Sequence, residues 1–167
     1  MKLEYKYGLS IGVGVSCWVM AEFFLGFHTT RLSIGEYSGY IAILIPIIVL
    51  WRALSEKRQA SGSLSYGAAF KSGLIISFIA ALFISVFFAL YIFAINPRWL
   101  DLGLAYERSK LLGLGITEEE IILQTDAMAA LYTPQIQIAS AFFGTLIQGI
   151  GLSLALAFFI RRRTRVS

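Results

Sequence analysis

Glu22 is the one acid inside the apolar stretch Gly8 to Phe27 of this 167-residue chain. Placing an ionisable group at mid-depth in lipid costs at least about 2.5 kcal/mol, so such a residue is a functional candidate by default. The chemistry it offers is uptake and release of a proton, coupled to movement of a small solute. Glu22 lies five residues before Phe27, hence about 7–8 Å from that end of the segment at the helical rise. At that depth it can also reach hydrated headgroups, or pair with Arg31 or Arg98. That structural reading stands beside the functional one.

Gln148 is the second intramembrane polar candidate, near the middle of the last apolar stretch. An amide in lipid seeks a hydrogen-bond partner on another helix. It is expected to face inward as interhelical glue, with a substrate contact as the alternative. Lys71 reads as a snorkelling residue. With one histidine (His28) and one cysteine (Cys17), the chain cannot build a zinc site of the usual His/Cys type or an internal disulfide. No H-E-x-x-H, G-x-S-x-G or phosphate-binding glycine loop occurs, and no nucleophile–base pair stands out. Neither an enzyme nor a cofactor is expected, and an enzyme acting on lipid ranks third among the readings.

The elements that must carry these residues are membrane helices. Only 14% of the chain is charged, against about 25% in soluble domains, and a bilayer explains the deficit. The pattern predicts an all-α polytopic protein forming one domain over 1–167, with spans at about 8–27, 37–54, 70–95 and 135–160. The second is the weakest, with 15 uncharged residues from Tyr37 to Trp51 and Pro46 inside it. Proline should bend it, and a re-entrant hairpin is the alternative. Residues 55–67 read as a flexible basic loop.

The third span has the clearest packing signal. Ala69, Gly73, Ser77, Ala81, Ser85 and Ala89 are all small and four apart, a ridge that lets another backbone approach closely. Four residues turn a helix by about 400°, so the ridge drifts roughly 40° per rung. One straight partner cannot meet every rung. The expectation is a crossing over two or three rungs, or two neighbours at different depths. The last span, antiparallel and with Gly149 and Ser153 in a ladder of its own, is the foremost partner. A homodimer through the remaining rungs comes second.

Between spans three and four, about 97–132 should form a helical hairpin. Asn96–Pro97 reads as a cap-and-proline start, Gly113 and Gly115 as the stop, and Thr117 with Glu120 as a capping box. Thr133–Pro134 starts the last span. Four spans put Lys2, Lys6, Arg52, Lys57, Arg58, Lys71 and the arginines at 161, 162, 163 and 165 on one side, ten of the fourteen basic residues. The positive-inside rule then places both termini in the cytoplasm and the hairpin outside. The same clustering beside spans removes the case for nucleic-acid binding that a pI near 9.3 raises.

Tyr7–Gly8–Leu9, the run Leu64 to Gly73, Ile95–Asn96–Pro97 and the run Gly115 to Ile121, with the glycine-rich last span ending in basic residues, occur together. In these features the chain resembles the bacterial membrane proteins filed as domain-of-unknown-function family 4199, over nearly its whole length. The resemblance implies a four-span inner-membrane protein and brings no activity or catalytic residues. Glu22 and the proline-containing second span inherit no role from it. The leading expectation is a non-enzymatic structural, accessory or interaction subunit of the bacterial inner membrane. Its expected partners are the lipid bilayer and either a second copy or another membrane protein. A small solute or proton-coupled transporter using Glu22 is the rival.

Overall fold

A computed structural model describes residues 2–160, so the closing arginines lie outside the described residues. Seven α-helices follow in order: α1 (Leu3–Phe24), α2 (Leu32–Ser38), α3 (Leu44–Ser61), α4 (Tyr66–Leu90), α5 (Trp99–Gly113), α6 (Glu118–Leu131) and α7 (Pro134–Ile160). A 3-10 turn, Gly39–Ile43, joins α2 to α3, and a π turn, Tyr91–Ile95, extends α4. Four rods are long and apolar enough to cross a membrane: Leu3–Phe24, Leu32–Ser61, Tyr66–Ile95 and Pro134–Ile160. The chain is an all-α, multi-pass membrane protein.

The four-residue ladders decide the packing. A Cβ built on Gly73 would stand 2.7 Å from the Ser153 Cβ, and one built on Gly149 would overlap Ser77. Stepping up α4 by four residues steps down α7 by four, which makes the two helices antiparallel. Each glycine takes the other helix's serine, so the backbones meet at two successive rungs. Ala69, Gly73, Ser77, Ala81, Gly149 and Ser153 are buried, whereas Ser85 and Ala89 are partly exposed. The ridge has turned away from α7 by then, as its drift requires.

α1 packs on another face of α4 through its own small ridge. Cβ atoms on Gly8 and Gly12 would lie 2.7 Å from Ile79 Cβ and 2.6 Å from Phe83 Cδ1. Here both numbers rise together, so α1 and α4 are parallel. Ile11, Leu50, Leu54, Ile76, Ala80 and Ile160 form the main core between the rods. Phe143, Ile147, Leu82 and Val86 remain exposed and form a lipid-facing surface of the kind a bilayer requires.

The start of α1 and the end of α7 lie at one end of the bundle. Lys57 Nζ donates to Glu4 Oε1 at 2.6 Å, Ser72 Oγ donates to the same oxygen at 2.9 Å, and Arg58 Nη1 donates to the Ile160 carbonyl at 3.2 Å. These contacts correct the reading of 55–67 as a loop. α3 runs on to Ser61 and stops at Gly62, whose φ of +69° suits glycine. Glu56, Lys57, Gln59 and Ala60 are good helix formers, and the polar partners beyond the apolar stretch hold them in place.

The second rod is continuous rather than re-entrant. Pro46 has no N–H to give Ala42, so regular α-helix does not persist upstream and Gly39–Ile43 tightens into 3-10. α5 and α6 form the hairpin, with Leu114 and Gly115 at its turn. The Glu120 N–H donates to Thr117 Oγ1 at 3.4 Å, and Thr117 Oγ1 donates to Glu120 Oε2 at 3.0 Å. The Asn96–Pro97 start is different: α5 opens at Trp99, whose N–H donates to the Asn96 carbonyl at 3.1 Å, and the Asn96 side chain does not cap it.

Candidate functional site

Glu22 sits in the last turn of α1 and is 4% exposed. The chain beyond it folds back over the helix end. Gly26, at φ +79°, occupies the left-handed position that closes the helix. Its N–H donates to the Phe23 carbonyl at 3.0 Å, and the Phe27 N–H donates to the Glu22 carbonyl at 2.9 Å. This pair of bonds is the Schellman arrangement, and it delivers His28 back above Glu22. Gly35 on α2 completes the fold-back, because a Cβ there would strike the Phe27 carbonyl oxygen.

His28 Nε2 lies 3.4 Å from Glu22 Oε2. The other ring nitrogen, Nδ1, lies 2.6 Å from the Tyr91 hydroxyl, and Asn96 Nδ2 donates to that hydroxyl at 3.3 Å. A neutral imidazole protonated on Nε2 fits the three contacts. Asn96 donates to Tyr91, Tyr91 donates to Nδ1, and the Nε2 proton faces the carboxylate. Four residues from three segments thus form a polar chain aimed at Glu22. Phe23 and His28 meet the Tyr91 ring edge-on, with centroids 6.0 and 5.6 Å away.

Burial pushes the His28 imidazole below its ordinary value, and the neighbouring Glu22 carboxylate offsets part of that. Glu22 Oε1 is buried without a hydrogen-bond partner among the described residues. The carboxylate also stands at the helix C-terminus, where the dipole is unfavourable to negative charge. What the arrangement can do is take up a proton on the imidazole, beside a buried carboxylate oxygen that has no partner among the described residues. The Trp18 Nε1 donor, one turn earlier on the same ridge, is likewise buried and unpartnered.

The π turn sets the other half of the site. The Asn96 N–H donates to the Tyr91 carbonyl at 2.8 Å, a five-residue step. Pro97 lacks the N–H that would continue the α ladder, so the turn widens just before it and swings Tyr91 towards α1. Sequence reasoning missed this constellation. It paired Glu22 with Arg31 or Arg98, gave Tyr91 no role in it and made Asn96 a cap. The available signal was Gly26–Phe27 after Glu22, a glycine stop that returns the chain onto its own helix.

The remaining residues singled out lie elsewhere. Gln148 and Ser77 line a cavity of about 360 Å³ between α1, α3, α4 and α7. Lys71 and Cys17 are exposed. Among the described residues no group of three or more His, Cys, Asp or Glu side chains is placed to hold a metal ion.

A family model described as "Protein of unknown function (DUF4199)" matches residues 6–162. The chain belongs to this family. The DUF4199 match takes in three rods whole and the first from residue 6 on, the hairpin and every member of the Glu22 cluster. No curated protein and no solved structure matches the chain.

Proposed function

We propose that this DUF4199 protein is a non-enzymatic interaction subunit of the bacterial inner membrane, whose hairpin α5–α6 is set by a proton-sensitive latch at its root. The observation that carries the reading is Asn96. It is the last residue before Pro97 and the hairpin, and its amide joins the Tyr91–His28–Glu22 chain instead of capping α5. Protonation of His28 would place a donor on Nδ1 where the Tyr91 hydroxyl now donates. Tyr91 would then have to turn its own proton elsewhere, disturbing the residue pair that fixes where the hairpin leaves the bundle.

The basic residues Lys6, Arg52, Lys57, Arg58 and Lys71, near the start of α1, the end of α3 and the start of α4, support a cytoplasmic position for that end. Glu118, Glu119, Glu120 and Asp126 make α6 acidic, which favours a basic surface on a membrane-protein partner over anionic lipid. Leu114 and Leu123, 70% and 72% exposed, supply apolar contact beside that charge. The reading is tested by hydrogen exchange of α5–α6 in lipid nanodiscs. Exchange normalised to the intrinsic amide rate at each pH should rise several-fold between pH 7.5 and 5.5, and Tyr91→Phe should show the raised level at both. Exchange that ignores both pH and Tyr91 removes the latch. Co-purification from mild detergent with and without residues 98–132 tests the partner.

A second reading is proton-coupled transport of a small solute through Glu22, favoured by the buried and unpartnered Oε1. Reconstituted vesicles separate it from the first. Proton flux above that of empty vesicles, abolished by Glu22→Gln, supports it, and flux at background removes it.

A further inference from the structure

We propose that the cleft between α1, α3, α4 and α7 binds a neutral, lipid-soluble molecule carrying a carbonyl group. Its volume, about 360 Å³, falls within the range of small-molecule sites. The walls are mostly aliphatic, with Ile11, Val15, Ile43 and Ile84 among them, and no charged side chain lines it. A charged ligand would lie there uncompensated, so the occupant is neutral.

The polar groups in the wall define the rest. Thr145 and Gln148 are three apart on α7 and so share a face. Both line the cleft, and neither makes a hydrogen bond within the described residues. Gln148 lies fourteen residues from Pro134 and twelve from Ile160, about 21 and 18 Å from the helix ends, far from water. The amide N–H protons of Gln148 and the Thr145 hydroxyl proton are therefore donors without an acceptor among the described residues, beside an amide oxygen that itself accepts. Ser77, facing them from α4, already donates to the Gly73 carbonyl at 2.8 Å. A carbonyl oxygen matches this set.

The wall contributed by the second rod is the 3-10 turn, with Gly39, Tyr40, Ala42 and Ile43 lining the cleft above Pro46. Irregular backbone at membrane depth is tolerated where it borders a cavity, and interrupted helices build substrate sites in transporters. Tyr40 is 75% exposed and marks a rim from which a lipid-dissolved molecule can enter.

The test uses benzophenone, a neutral two-ring ketone that cross-links to nearby C–H bonds on illumination, with the full chain in nanodiscs. Saturable labelling should map to Ile43, Leu50, Ile84, Thr145 and Gln148. Fluorenone should suppress it at concentrations at least tenfold lower than fluorene, the same ring system without the carbonyl. Gln148→Leu and Thr145→Val, each checked for retained helicity and thermal stability, should narrow that gap to below threefold. Labelling spread over lipid-facing Phe143 and Ile147 would overturn the assignment. So would equal competition by the two ring compounds in the wild-type protein, a result that depends on no variant.

Discussion

Ser153 occupies the space that Gly73 leaves open, and one turn away Ser77 does the same over Gly149. This reciprocity lets α4 and α7 pack backbone to backbone. It also distinguishes glycines by partner rather than by position on the helix. Gly149→Ala should destabilise the bundle, since overpacking of this kind costs about 1–3 kcal/mol. Gly151→Ala, where an added Cβ meets nothing within 4 Å, should be neutral or stabilising by up to about 1 kcal/mol. Thermal unfolding in mild detergent compares the two, and equal effects would contradict the pairing.

Gly35 offers a test of the fold-back that brings His28 over Glu22. Alanine there would drive a methyl group into the Phe27 carbonyl oxygen and displace the loop. Proteolysis at Thr29–Arg31 should become faster in Gly35→Ala. Gly39→Ala, four residues on and with nothing within 4 Å of the added Cβ, should leave the rate unchanged.

The pH dependence of stability follows from the direction of the His28 shift. Burial lowers its folded-state value below the ordinary 6.5, so the unfolded chain binds the proton first. The contribution is fully present above that value and is lost as pH falls from there through the folded value. Unfolding temperature should therefore drop between pH 7.5 and 5.5, and the drop should shrink in His28→Gln. An identical drop in the variant would assign the effect to other groups.

The hairpin is tied to α2 through Glu36, which accepts from Lys110 Nζ at 2.9 Å and from the Tyr106 hydroxyl at 3.1 Å. These groups are solvent-exposed, and exposed pairs contribute little and are screened by salt. Lys110→Met should raise cleavage at Gly113–Gly115 by no more than about threefold at low ionic strength. At 0.5 M salt the difference should vanish.

What was legible in the sequence was whatever depends on spacing along one helix. The small ridges at Gly73/Ser77 and Gly149/Ser153, the Thr117–Glu120 cap and the Thr133–Pro134 start are local patterns with local causes. The site was not legible because its members lie far apart in the chain. Glu22 and Tyr91 meet only once α1 and α4 are parallel, and Asn96 faces Tyr91 only because the turn before Pro97 widens. Likewise, α3 persists to Ser61 because Glu4 and Ser72 receive Lys57, partners that no window around residue 57 contains.

His28 is the chain's single histidine, so ¹⁵N-histidine labelling gives one imidazole to observe. In nanodiscs at pH 7.5 its NMR signals should show a neutral ring protonated on Nε2, titrating below 6.5. Tyr91→Phe should shift the Nδ1 signal and Glu22→Gln the Nε2 signal. A ring that exchanges freely between tautomers, titrates near 6.5 and ignores both substitutions would contradict the latch from Glu22 to Asn96.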